Sequence, residues 1–202
     1  MSGYQFEADN SVTMNVLACA PKFFLSPSNH IVHFQPTQIQ IYTALSGTKI
    51  RDAIDAVATA YSNSLSNVSF VRTEVDCGTG PTCLRIDDAS LPNACAATAG
   101  NTTGNASNGE ITGNATITLR SDWSTSSITP NALKYRLAHE MGHYLGLDDH
   151  YDGVNPCDPT YSVMHAPIAC DYSPNDPFPK ISNYLPINNT VYAGGPRTSC
   201  GF

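Results

Sequence analysis

The 202-residue chain is long enough for one large domain or a compact two-lobed one. Only 13% of its residues are charged and the net charge is −7, so neither nucleic acid nor an anionic membrane suits it as a partner. The hydrophobic fraction of 41% can supply a core, no stretch approaches the length of a membrane span, and with so few charged residues solubility leans on Ser, Thr and Asn.

Seven cysteines and Asn-x-Ser/Thr triplets beginning at Asn67, Asn101, Asn105, Asn114 and Asn188 give the composition of an extracellular protein. The odd cysteine count leaves one thiol free or intermolecular. The run Met14 to Ala20 is short and preceded by acids, so it does not read as a signal peptide; a secretion signal is expected to have been removed.

Residues 1–37 are read as an N-terminal extension packed on, or preceding, the main domain. Its apolar runs, Phe23-Phe24-Leu25 and His30 to Phe34, read as edge strands, a remnant pro-segment or a partner-binding arm. Ile39, Ile41 and Thr43 then alternate with Gln38, Gln40 and Tyr42, the pattern of a half-buried strand. Ser46-Gly47-Thr48 opens a helix whose stripe is Ile50, Ile54, Val57, Ala58, Tyr61 and Leu65, and Asn67 closes it. Val68 to Val75 reads as a second strand, so strand, helix and strand predict a right-handed crossover and a parallel pair.

Residues 76–110 break the pattern, with Cys77, Cys83 and Cys95 among Gly, Pro, Thr and Asn. Leu84 to Ile86 is a short strand candidate, and the small polar stretch Ala96 to Gly109 reads as a mobile surface loop. Strand character returns over Gly113 to Leu119. Asp122 to Thr129 is a loop, in which Trp123 is assigned to packing. Thr129-Pro130 supplies an N-cap and a first-turn proline. The helix that follows runs to about Leu145, with Leu133, Leu137, Met141 and Leu145 spaced by four as its buried stripe.

On the neighbouring face of this helix stands the stretch the rest of the chain is organised around, His139-Glu140-Met141-Gly142-His143, continued to Gly146, Asp149 and His150. Two histidines four apart lie one turn apart on one face and can share one metal ion. Glu140, beside the first, is placed to take a proton from an attacking water. Gly146 can adopt the left-handed conformation that ends a helix and turns the chain. The turn returns Asp149, or His150 if it is one residue longer, as third ligand; the offset favours Asp149, with His150 then a neighbour of the site. Asp148 and Asp152 are candidate calcium ligands, although solvated loop carboxylates are the commoner outcome. His30 and His33 read as structural or exposed, and His165 as lining the cleft.

The long motif with its glycine turn, followed by Met164 after a variable loop, resembles the metzincin clan of metallopeptidases. Asp149 at the third-ligand position, Asp149-His150-Tyr151, Gly153, Cys157, Met164, Cys170 and Tyr172-Ser173-Pro174-Asn175 are similar to the snapalysin family of small secreted bacterial neutral proteases. The resemblance is strongest over residues 131–175 and weaker from about residue 38. It does not cover the extension, the insertion at 76–110 or the tail.

The resemblance implies an α+β fold, with a twisted mixed β-sheet, a backing helix, an active-site helix and an irregular C-terminal subdomain. The catalytic domain would span 38–185, divided into upper (38–147) and lower (148–185) parts, and 186–202 would be a tail. It also implies that His139, His143 and Asp149 bind zinc, that Glu140 is catalytic, that Met164 is a packing floor under the metal and that Cys157 pairs with Cys170. Strand 113–119 would be the cleft rim that takes an extended protein or peptide substrate by strand addition. The chain departs from the clan at Ala166, where some members carry a Tyr near the metal; Tyr151 or Tyr172 is left to approach the site.

The expected protein is a secreted, monomeric zinc endopeptidase, for which the resemblance implies a preference for a bulky aromatic or apolar residue on the primed side. A secreted zinc-binding or adhesion module on the same scaffold is the rival from another class, and the intact Glu140 argues against it. Cys19 allows two further readings: a thiol that caps the zinc and keeps the enzyme latent, or half of a disulfide tying the extension to the body. Connectivity does not follow from sequence; we adopt Cys77–Cys83 and Cys19–Cys200 as working pairs, leaving Cys95. One prediction concerns pH. An Asp ligand leaves the metal unit less positive than three neutral histidines would, so water is acidified less and activity should peak at neutral pH or above. A pH–rate profile with its maximum well below neutrality would overturn the Asp149 assignment.

Overall fold

The computed structural model describes Phe24 and residues 32–35, 37–91, 96–100, 108–124, 128–149, 162–165, 170–180, 183–184 and 187. Strands β1 (Thr37–Tyr42), β2 (Val68–Thr73), β3 (Cys83–Ala89), β4 (Ala96–Gly100) and β5 (Ala115–Arg120) form one sheet in the order β2-β1-β3-β5-β4. Helix α1 (Thr48–Ser64) connects β1 to β2, and α2 (Pro130–Tyr144) follows β5 after a 3₁₀ turn at Ser121–Ser124. Four strands run parallel, and β4 alone is antiparallel, paired with β5 at the edge. The sheet, the backing helix α1 and the helix α2 that carries His139 and His143 together are the α+β arrangement expected from the sequence.

Period-two burial makes the sheet one-sided. Ile39 and Ile41 of β1 are buried between exposed Gln38 and Gln40, and Ala115, Ile117 and Leu119 of β5 point to the same core. The α1 stripe, Ile50, Ala53, Ile54, Val57, Ala58 and Tyr61, packs onto this face. The Tyr61 hydroxyl donates to the Ala138 carbonyl at 2.7 Å, joining α1 to α2 one residue before His139. Its burial pushes the Tyr61 pKa far up, so the hydroxyl stays a donor. Helix α2 starts as its sequence predicts, with the Thr129 side chain accepting from the Ala132 amide and Pro130 in the first turn.

Three expectations are corrected. Strand β5 is not the rim of the cleft, because β3 pairs along one of its edges and β4 along the other. The edge strand is β4, which comes from the stretch read as a surface loop. Ala-Ala-Thr-Ala-Gly has no apolar alternation; pairing of its backbone with β5 makes it a strand. Strand β2 also ends at Thr73, two residues early, with Val75 exposed.

Parts of the extension belong to the core. Val32 and Phe34 are buried in the same cluster as the sheet and helices, and His33 bridges to Glu110 beside them. Trp123 is buried in that cluster, as packing required. The working pair Cys77–Cys83 is a disulfide, closing the loop between β2 and β3. Pro81 within that loop accepts a hydrogen bond from the Tyr144 hydroxyl at the end of α2.

Candidate metal centre

Helix α2 is buried on nearly all sides, and the polar residues it carries at His139 and Glu140 are themselves largely buried. The four-residue spacing sets the two imidazoles one turn apart, with ring centroids 4.7 Å apart and planes nearly perpendicular. Beyond the helix the chain reverses at Gly146, whose φ is +92°. The Leu147 amide donates back to the Gly142 carbonyl at 2.9 Å, closing the turn. The reversal brings Asp149 against both histidines: its Oδ1 lies 3.2 Å from His139 Nε2 and 3.4 Å from His143 Nε2. These three residues form a group that could hold a metal ion.

The far side of each ring fixes its chemistry. His139 Nδ1 lies 2.7 Å from the Val163 carbonyl, and His143 Nδ1 lies 2.9 Å from the Leu147 carbonyl. A carbonyl only accepts, so each Nδ1 carries the hydrogen. In the neutral rings Nε2 is then a bare lone pair, and both lone pairs face the same carboxylate oxygen. Atoms of this kind gathered at one point call for positive charge among them, supplied by a metal ion or by a proton on an imidazole. The two His–Asp distances suit zinc, since ligand bonds of about 2.0–2.1 Å at tetrahedral angles place donors about 3.3 Å apart. Burial works to lower the His143 pKa, but the hydrogen bond with Asp149, the Glu140 charge and the Leu147 carbonyl outweigh it and hold it above the ordinary imidazole value. The field at this point therefore favours positive charge.

Met164 lies under the site. It is fully buried, and a Cβ added at Gly142, between the two histidines, would collide with its sulfur. Only glycine leaves room for the methionine against the helix there. The Met164 turn is fixed by Asn183, a buried side chain that accepts from the Val163 amide at 3.2 Å and donates to Ser162 Oγ at 3.0 Å. The Ser162 hydroxyl in turn accepts from the Met164 amide at 3.1 Å. The same turn thus supplies a packing floor through Met164 and the carbonyl that orients His139 through Val163.

Several residues of the site were not singled out from the sequence. The carbonyls of Val163 and Leu147 belong to the backbone and leave no mark in side-chain chemistry. Arg136 is 6% exposed, one turn before Glu140 on α2. Its burial pushes its pKa down, while the charges of Tyr135, Glu140 and Asp149 oppose that. A signal for it existed, since an arginine four residues before Glu140 stands on the same face of the helix. Phe24 from the extension places its ring 5.8 Å from the His143 ring.

Of the other expected residues, Asp148 accepts from the Asp149 amide at 2.8 Å. Tyr172 packs edge-on against Tyr135, its ring centroid 5.3 Å away. Cys170 is disulfide-bonded. His150, Tyr151, Asp152, Cys157 and Ala166, with His30, Cys19, Cys95 and Cys200, lie outside the described residues.

No family model matches the chain, and no curated protein matches it. Among solved structures, a crystal structure of myroilysin is 13% identical with a TM-score of 0.47, over 94% of this chain and 98% of that one. A second myroilysin structure is 15% identical with a TM-score of 0.43, over 86% and 98%. High choriolytic enzyme 1, a hatching enzyme zinc-protease from the medaka fish Oryzias latipes, is 13% identical with a TM-score of 0.41, over 85% of this chain and 94% of that one. The likeness is loose, and the chemistry of the site is carried by its own geometry.

Proposed function

We propose that this chain is a secreted zinc endopeptidase of the metzincin type, similar to snapalysin, with His139, His143 and Asp149 as ligands and Glu140 as general base. One observation carries the reading: two histidines, each with Nδ1 tied to a backbone carbonyl, turn Nε2 toward one carboxylate oxygen. Zinc bound there supplies Lewis acidity, which polarises a peptide carbonyl and lowers the pKa of water. Glu140, buried on α2, takes the proton from the attacking water and passes it to the leaving amine. Met164 and the Asn183-held turn keep the ligands still while this happens. Tyr61 and Tyr144 anchor α2 to α1 and to the disulfide loop, so the helix carrying both histidines is braced on either side.

The substrate is an unfolded protein or an extended peptide. Its docking edge is β4, which pairs with β5 on one side, packs near α2 and has no second strand partner among the described residues. The Cys77–Cys83 disulfide suits an oxidising, extracellular setting.

The test is casein cleavage together with metal content. The purified protein should carry one zinc, lose cleavage when a chelator strips it and regain cleavage when zinc is returned. Full activity in the stripped protein would end the zinc-peptidase reading.

A further inference from the structure

We infer that Phe24 and Val32, from the N-terminal extension, are positioning residues of the metal centre: they fix the turn between His143 and Asp149 and hold the His143 ring. The inference rests on the reading of His139, His143 and Asp149 as a metal-binding set.

A helix end leaves carbonyls without helical partners, and a sharp reversal after it is easily frayed. Here the extension supplies what the turn lacks. The Phe24 amide donates to the Gly146 carbonyl at 2.8 Å, and the Phe24 carbonyl accepts from the Val32 amide at 2.9 Å. Phe24 is therefore pinned through both of its backbone polar groups. The Val32 carbonyl lies directly on the Cα of Gly146, where an added Cβ would come within 2.5 Å of its oxygen. Glycine at 146 thus serves two needs, the positive φ of the turn and the close approach of a second chain segment.

From this anchorage the Phe24 ring lies 5.8 Å from the His143 ring, the planes tilted by 33°. Phe34 makes the corresponding contact one residue on, with its ring 5.0 Å from that of Tyr144. The turn that Phe24 and Val32 hold also carries the Leu147 carbonyl, which orients His143, and then Asp149. Shifting Gly146 would move an orienting carbonyl and a ligand together. These contacts make Phe24 and Val32 part of the assembled site.

The test uses the full chain, with Phe24→Ala, Phe24→Leu, which keeps apolar bulk for folding, and Phe24→Tyr, which keeps the ring. Zinc affinity is read by competition with a chromophoric chelator, and ligand geometry by the visible absorption of the cobalt(II)-substituted protein. Loss of a group that orients a ligand weakens metal binding about 10-fold or more, so both Phe24→Ala and Phe24→Leu should bind zinc at least that much more weakly and shift the cobalt band. Phe24→Tyr should restore wild-type affinity and spectrum. A merely structural Phe24 would lower the melting temperature of the metal-free protein and leave the cobalt spectrum unchanged, which would overturn the inference while the metal reading stands. A wild-type protein that binds no stoichiometric zinc would instead bring down the metal reading, and this inference with it.

Discussion

Glu140→Gln should reduce kcat/KM for casein by about 10³-fold while leaving zinc affinity close to wild type, since a positioned general base contributes about 10²–10⁴. The amide fills the same space as the carboxylate in a buried position on α2, so the helix and both histidines should keep their places. It cannot accept a proton from water at any accessible pH, so the loss should fall on kcat more than on KM. Zinc content and cleavage rate need to be measured on the same preparation. A variant that holds zinc and still cleaves within about tenfold of wild type would remove Glu140 from the mechanism and leave a site that works by metal polarisation and binding alone.

Gly146→Ala should give the largest loss of stability. The residue sits at φ +92°, a conformation that alanine adopts only under strain, and its new Cβ would press on the Val32 carbonyl oxygen at 2.5 Å. Backbone strain and the clash with another backbone together should cost about 3 kcal/mol in urea unfolding. The protein that does fold should bind zinc more weakly, because relief of the clash displaces the turn that delivers Asp149. Gly47→Ala is the matching control. That glycine caps α1 at negative φ with open space around its Cα, so alanine there should change stability by no more than about 1 kcal/mol. Equal effects at the two positions would show that the geometry of the 146 turn carries no special weight.

The site was legible where chemistry and spacing coincide on one element. His139 and His143 declare themselves through helical spacing, and Asp149 through its offset from a helix-ending glycine. The α1 stripe and the alternation in β1 and β5 were equally plain, because each buries one face against one core. What could not be read shares a physical cause: it depends on partners distant in the chain. Strand β4 has no side-chain pattern of its own and exists through its ladder with β5. The interior place of β5 follows from that pairing, so a sequence that marks a strand clearly still misplaces it in the sheet. The carbonyls of Val163 and Leu147 orient the histidines, yet any residue has a carbonyl. Phe24 looks like one more apolar residue in an extension until the fold sets it against His143.

The braced reversal at Gly146 also sets an order in time. Phe24, Val32 and Phe34 are synthesised early, and the residues they contact, His143, Tyr144 and Gly146, emerge from the ribosome only after the whole sheet and α1. Until then these apolar side chains have no native place and are exposed to the misassociation that threatens any late-closing contact. When α2 and its turn arrive, docking of the first segment and assembly of the metal site become one event. A nascent chain therefore cannot present the finished His139, His143 and Asp149 cluster before its fold is nearly closed.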